Sequence, residues 1–127
     1  MTGDGTATGD RRGETGRIGE DHAAALLESR GCVVLDRNWR SARGELDLVV
    51  RDPLGRTRFV EVKTRTGTGF GTPAEAVTRA KRERLRRLAA EWLDANPGGW
   101  RQVCFDVVGV DLSDRSRPRL EVFEDVI

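Results

Sequence analysis

The chain has 127 residues, of which 37% are hydrophobic and 34% are charged, so it can form one ordinary core and is too short for two comfortable domains. Its net charge of +1 does not by itself indicate a nucleic-acid-binding protein, and any basic surface must come from an uneven distribution of charge. The first 16 residues include no apolar stretch that could serve as a signal peptide, no other run approaches membrane-spanning length, and the two cysteines lack the spacing of a zinc site. We therefore expect a soluble cytoplasmic protein with no membrane partner.

The N-terminal part of the chain changes character after residue 14. Residues 1–14 are mostly Gly, Thr, Asp and Arg, which predicts a disordered tail, followed by a single domain over residues 15–127. Residues 16–30 have a helical pattern that Gly31 is suited to end. Glu20 lies on the apolar side of this helix, so it is an acid on the face that should be buried. Its apolar neighbours on that face are Ala23, Ala24, Leu26 and Leu27.

A β-hairpin is predicted after a first short strand at residues 32–35. Residues 45–51 and 58–65 alternate in the manner of strands, and the turn formers Asp-Pro-Leu-Gly separate them. A turn centred near Leu54 and Gly55 would set Asp47 across from Glu61 or Val62. The other face of the hairpin has the composition of a core, with Leu46, Leu48, Val50, Val60 and Val62.

The second half of the chain predicts a long helix and two more strands. Thr72-Pro73-Ala74-Glu75 has the features of a helix start, and Pro97-Gly98-Gly99 those of a stop after Asn96. Residues 103–110 and 120–123 then predict the last two strands. The resulting order, α-β-β-β-α-β-β, is that of an α/β protein with a mixed β-sheet flanked by helices.

The predicted long helix carries most of the basic residues that could bind nucleic acid. One stripe consists of Arg79, Arg82 and Arg86, and Lys81 falls near the middle of the apolar stripe. A solvated helix face is the ordinary role of such arginines, and a lysine on an apolar stripe often extends its amine to solvent. The one-sided distribution of charge favours contacts with a phosphate backbone as the alternative.

Several carboxylates are predicted to meet at one edge of the core. Asp47 and Glu61 come from adjacent strands, and Glu20 comes from the helix packed on them. Carboxylates placed together repel one another and lose hydration, which is unfavourable unless a positive charge compensates. A hard cation such as Mg²⁺ would do so, because it binds carboxylate and phosphate oxygens. The ion would polarise a phosphoryl group and lower the pKa of the attacking water. Lys63, on the face of Glu61, could orient that water or stabilise developing charge.

The same segments resemble a known group of nucleases. The segments GELDLVV and FVEVKTR, at residues 44–50 and 59–65, are similar to the bipartite signature of the PD-(D/E)XK superfamily, with Leu46 where its name has proline. The longer order of segments over residues 16–110, from RIGEDHAAALLESRG through GTPAEAVTRAKRERL to CFDVV, resembles the bacterial YraN-like family, which is related to archaeal Holliday-junction resolvases.

The resemblance implies a restriction-endonuclease-like fold and a metal-dependent endonuclease of DNA. By position it makes Asp47, Glu61 and Glu20 catalytic residues and ligands of Mg²⁺ or Mn²⁺, and Lys63 the catalytic lysine. The expected substrate is branched or damaged DNA in repair or recombination, contacted by the arginine stripe and Lys81. The relation to resolvases also suggests a homodimer.

Alternative interpretations remain open at the level of sequence. Glu61 and Lys63 would form a weak surface ion pair if no metal site existed. Glu45 is either a further acid of the site or a solvated strand end, and we favour the latter. Asp106 is expected to pair an arginine. The alternative functions are a non-catalytic nucleic-acid-binding protein that retains the nuclease fold, and a hydrolase of another phosphodiester such as RNA or a nucleotide signal.

Overall fold

The computed structural model describes residues 4–67, 78–98 and 102–126, with side chains described from residue 13 onward. The elements follow the predicted order of one helix, three strands, one helix and two strands: α1 (Asp4–Ser29), β1 (Val33–Ser41), β2 (Gly44–Arg51), β3 (Thr57–Arg65), α2 (Arg79–Ala95), β4 (Val103–Asp111) and β5 (Arg119–Phe123). No described helix is both long enough and apolar enough to cross a membrane.

All five strands form one mixed sheet in the order β1-β2-β3-β4-β5. The β3–β4 pair is parallel, and the segment containing α2 connects these two strands; the other three pairs are antiparallel. A parallel connection needs a crossover, and a helix on one face of the sheet is its usual form. The predicted α/β class with a mixed sheet is therefore confirmed.

One helix covers each face of the sheet. Ala23, Ala24 and Leu27 of α1 pack on one side against a cluster that includes Leu48 and Val60. On the other side, α2 contributes Leu85, Leu88, Ala89 and Trp92, which pack against a cluster that includes Leu46 and Phe59. The Phe59 and Trp92 rings meet edge to face with their centroids 5.7 Å apart. Phe59 and Val60, which lie on opposite faces of β3, are therefore both buried.

Four details differ from the sequence-based expectations. Helix α1 begins at Asp4 rather than Gly16, because an apolar pattern marks only the part of a helix that packs. Strand β1 extends to Ser41. Leu46 packs on the α2 side, whereas Leu48 packs on the α1 side, so the strict alternation expected for β2 breaks at Asp47.

The start of α2 is the fourth difference. Thr78 has an extended backbone, and its hydroxyl accepts a hydrogen bond from the Lys81 amide at 3.3 Å, which caps a helix that begins at Arg79. A helix that continues from Thr72 through Thr78 is therefore wrong, while the predicted end at Asn96 is confirmed. The predicted start at residues 72–75 lies outside the described residues, and the division at residue 14 between tail and domain stays a prediction.

A buried ion network holds the turn end of the β2–β3 hairpin. The Arg58 side chain is only 4% exposed, and its Nε and Nη1 atoms lie 2.9 Å from Asp52 Oδ2 and from Asp106 Oδ1. Asp106 also accepts a hydrogen bond from the backbone amide of Asp125. The expected pairing of Asp106 with an arginine is confirmed. Cys32 and Cys104 are both free thiols, and Cys104 is buried.

Candidate functional site

The candidate site lies at the end of the hairpin opposite the turn. The β2–β3 pairing runs from Arg51↔Thr57 to Leu48↔Val60. At the next position the Asp47 side chain accepts a hydrogen bond from the backbone of β3. The Val62 amide nitrogen lies 2.8 Å from Asp47 Oδ2. This register sets Asp47 beside Glu61, as the hairpin turn predicted. The Asp47 carboxylate is therefore held at the position where the backbone pairing of β2 with β3 ends.

Three carboxylates converge at this position. One oxygen each from Glu20, Glu45 and Asp47 lies within 4.8 Å of the other two, and all three residues are half-buried. Glu45 and Asp47 are two apart on β2, and Glu20 arrives from α1. Oxygens at this mutual distance can share one cation, and oxygen is the donor that Mg²⁺ and Mn²⁺ prefer.

A glycine in α1 allows Glu20 to come this close. Gly19 is buried against β3, and a Cβ atom at this position would overlap the hydroxyl of Thr64. Gly16, one turn earlier, has open space where its Cβ would lie. The absence of a side chain at position 19 therefore sets the distance between the helix and the strand, and Glu20 is the next residue along the chain.

Glu20 is held from the β1 side by Asn38. The Asn38 side chain forms a hydrogen bond with the Glu20 carboxylate, and the Asn38 backbone has a positive φ of 52°. Asparagine tolerates this left-handed conformation better than most residues. Burial raises the pKa of Glu20, and the charge of Glu45 acts in the same direction, against the Asn38 bond. Glu20 Oε1 is buried and has no hydrogen-bond partner among the described residues.

Asp47 is the most strongly perturbed acid of the group. Burial raises the pKa of Asp47, and the charge of Glu61 and a hydrogen bond with Glu61 raise it further, to about 9. The bond from the Val62 amide opposes this shift without cancelling it. A cation that binds here would therefore have to compete with a proton for the Asp47 carboxylate.

Both lysines of the chain meet on the other side of Glu61. Lys63 Nζ lies 3.4 Å from Glu61 Oε2. The side chain of Lys81, in the first turn of α2, lies close to that of Lys63, whose positive charge lowers the pKa of Lys81. Of the 22 basic residues in the chain, only these two are lysines. An anion bound against them would relieve their repulsion.

The predicted nucleic-acid-binding arginines lie on the exposed side of α2. Arg79, Arg82 and Arg86 are all exposed, and the Arg79 side chain is 93% exposed and 3.7 Å from Glu83. They flank Lys81 on the same helix. Their long side chains are accessible to a bound phosphate backbone.

The structure brings together Glu20, Asp47, Glu61, Lys63 and Lys81, with one change in the set of acids. Glu45, for which the sequence favoured a solvated strand end, belongs to the close group, while Glu61 is turned to Lys63. Glu45 also pairs with Arg40, with Oε2 2.7 Å from Nε. Alternation within β2 predicts that Glu45 shares the face of Asp47, but its place among the acids also depends on α1 covering that end of the strand.

Two residues at the site had no role in the sequence interpretation. Gly19 is a glycine inside a helical pattern, which is a signal of close packing that could have been used. Asn38 lies in a strand with a positive φ, and nothing in its local sequence specifies a contact with a helix that precedes it in the chain.

Comparison with known proteins gives a consistent result. The profile of the family described as "Uncharacterised protein family UPF0102" matches residues 19–110. A UPF0102 protein of Nocardia farcinica is 53% identical over 106 residues, which cover 84% of this chain and 83% of the relative. Similar proteins of Rhodococcus opacus and Clavibacter michiganensis are 47% and 49% identical, covering 87% and 88% of this chain and 92% and 94% of the relatives. The matched segment contains every residue of the acidic group, and the chain belongs to the UPF0102 family.

Proposed function

We propose that this protein is a nuclease that uses Mg²⁺ or Mn²⁺ to hydrolyse phosphodiester bonds of branched or damaged DNA. The observation that carries the proposal is the convergence of Glu20, Glu45 and Asp47 within 4.8 Å, next to the Glu61–Lys63 pair on the adjoining strand. A structural ion pair would need neither three carboxylate oxygens within 4.8 Å of one another nor a buried carboxylate oxygen without a partner among the described residues.

Glu20, Glu45 and Asp47 would hold the cation. The donor set consists of carboxylate oxygens, which suits a hard divalent ion, and the unpartnered Glu20 Oε1 supplies a ligand atom that is already desolvated. When bound, the ion would polarise a phosphoryl oxygen and lower the pKa of a water. Glu61, in contact with Asp47 through a shared hydrogen bond, orients that ligand and completes the predicted acidic set.

The two lysines act on the phosphate and on the attacking water. Lys63, held by Glu61, is suited to orient the water or to stabilise charge that develops on the phosphoryl oxygens. Lys81 contributes a second positive charge at the same place. The exposed Arg79, Arg82 and Arg86 contact neighbouring phosphates, so binding should be salt-sensitive and largely independent of base sequence. A homodimer stays a prediction.

The test is cleavage of end-labelled single-stranded, duplex, flap and four-way-junction DNA, and of labelled RNA, with Mg²⁺, Mn²⁺ or EDTA. Wild type is compared with Asp47→Asn, Lys63→Met and the control Glu121→Gln, which changes an exposed acid of β5. We expect metal-dependent cleavage by wild type and the control, and a loss of about 10²-fold or more in the two site variants.

Two results would count against the proposal. Cleavage that survives in folded Asp47→Asn and Lys63→Met proteins would point to a contaminant or to another site. DNA binding that EDTA leaves unchanged, without any cleavage, would favour the non-catalytic binding protein, for which the exposed arginines of α2 are sufficient. Preferential cleavage of RNA would reassign the substrate while keeping the chemistry.

A further inference from the structure

A groove of about 840 Å³ opens beside the candidate site and is distinct from the arginines of α2. It begins at Glu20 and Lys63, follows the end of β3, and reaches the loop between β4 and β5. Thr15 of α1 forms part of the opposite wall. Arg115 Nη2 donates a hydrogen bond to Thr15 Oγ1 at 3.4 Å, so the loop and the helix meet across the groove. Its volume falls within the range of about 300–1,000 Å³ that is typical of ligand sites.

The lining is suited to phosphate oxygens. It has three cationic side chains, Lys63, Arg65 and Arg115, and one acid, Glu20, which is one of the three converging carboxylates. Four hydroxyl groups complete the polar surface, from Thr15, Thr64, Thr66 and Ser113. Arg115 has no carboxylate within ion-pairing distance among the residues that the structure describes. Guanidinium and hydroxyl donors in such numbers are the usual partners of a nucleic-acid backbone.

The lining also indicates which part of a nucleic acid would enter. Among the described lining residues there is no aromatic side chain on which a base could stack. The contacts that remain are to phosphates and sugars, which carry no sequence information. The groove therefore suits a strand recognised through its backbone.

We infer that this groove holds the phosphodiester strand on one side of the reacting phosphate, with Arg115 bound to a neighbouring phosphate. The inference rests on the proposed nuclease function, because it is Glu20 and Lys63 that connect the groove to the reacting centre. It adds a second phosphate-binding surface to that of α2. The strand would pass the acidic group between the helix α2 and the β4–β5 loop, so both flanks of the reacting bond are held.

The chain offers two matched pairs of variants for the test. Arg115 and Arg117 are exposed arginines of the same loop, and only Arg115 lines the groove. Ser113 and Ser116 make the same local contacts, each with its amide and hydroxyl bonded to the aspartate two residues earlier, and only Ser113 lines the groove. Arg115→Gln and Ser113→Glu are thus compared with Arg117→Gln and Ser116→Glu.

Binding is measured in EDTA, so that the result does not depend on cleavage, by fluorescence anisotropy of labelled single-stranded DNA and RNA over a range of salt concentrations. We expect Arg115→Gln to weaken binding about three- to tenfold and to reduce the salt slope by about 0.7, as for one lost phosphate contact. Ser113→Glu should weaken binding at least as much, and both controls should bind as wild type does.

The inference would be overturned if a groove variant and its control weakened binding equally, or if neither groove variant weakened it. Either result would leave the outcome of the nuclease assay undecided. Displacement of the labelled strand by inorganic phosphate at the same concentration as the strand would also overturn the inference, because the groove would then be a site for a free anion. If the groove variants bind more weakly and the controls bind as wild type does, but the protein cleaves nothing, the groove is supported as a strand-binding site and only the proposed catalysis is refuted.

Discussion

Replacement of Asp47 by asparagine should stabilise the metal-free protein. The substitution keeps the shape of the side chain: the amide oxygen can accept the bond from the Val62 amide, and the amide nitrogen can donate to Glu61, where the carboxylate now meets another acid. It removes the group whose ionisation is suppressed by burial and by the charge of Glu61. The expected gain comes from this relief alone, because no new apolar contact is made.

The magnitude follows from the raised pKa of Asp47. In the unfolded chain the carboxyl ionises near its ordinary value of 3.8, whereas the folded protein holds the proton until about pH 9. Between these values folding takes up a proton, so the free energy of unfolding of wild type falls as the pH rises. One pKa unit corresponds to about 1.4 kcal/mol, which sets an upper limit of about 4 kcal/mol at pH 7. With allowance for relaxation, we expect a gain of about 2–4 kcal/mol for Asp47→Asn.

The assay is urea denaturation in EDTA at a series of pH values from 4 to 8, with Glu121→Gln as the control for loss of an exposed charge. The gain of the Asp47→Asn protein should be largest at neutral pH and nearly absent at pH 4. Addition of Mn²⁺ should stabilise wild type and have little effect on the variant, since a ligand of the folded state raises its stability by mass action. A variant no more stable than wild type at pH 7, or equally favoured at every pH, would refute the electrostatic argument.

Three further predictions concern the supports of the site and the ion network at the turn. Gly19→Ala should lower the free energy of unfolding by about 1–3 kcal/mol, because the added methyl group displaces α1 from β3, whereas Gly16→Ala should be neutral or stabilising; urea denaturation of both proteins compares them directly. Asn38→Gly keeps a residue that tolerates the positive φ but removes the bond to Glu20, so calorimetry should detect weaker Mn²⁺ binding in a normally stable protein; unchanged affinity would exclude a positioning role for the amide. For Asp52, burial opposes ionisation, but hydrogen bonds from Arg56 and Arg58 lower its pKa to about 2. This stabilisation is present above about pH 4 and lost as the pH falls towards 2, so Asp52→Asn should cost about 2 kcal/mol at pH 7 and little near pH 2, and a cost independent of pH would contradict this origin.

The sequence predicted those parts of the molecule that depend on short-range periodicity. The hairpin turn fixed which residues of β2 and β3 face each other, and this brought Asp47 next to Glu61. The apolar stripes of α1 and α2 predicted which helix faces are buried. Glu20 stood out because an acid interrupted such a stripe.

The sequence could not predict features that arise from packing between elements distant in the chain. Glu45 joins the acidic group because α1 covers the start of β2, and this depends on the contact of Gly19 with Thr64. Asn38 reaches Glu20 only through an unusual backbone conformation in β1. The switch of Leu46 to the α2 side breaks the alternation of β2, and no periodic rule anticipates such a break.

The Arg58 network also limits how this family can diverge. Arg58 satisfies Asp52 at the hairpin turn and Asp106 on β4, and all three side chains are at most 5% exposed. Loss of Arg58 would leave Asp106 buried without its arginine and Asp52 with only Arg56, at a cost of about 3–5 kcal/mol, while lysine could not reproduce the two-sided contact of the guanidinium. Relatives that lack arginine at this position should have replaced the acids as well, so the three positions should change together or not at all.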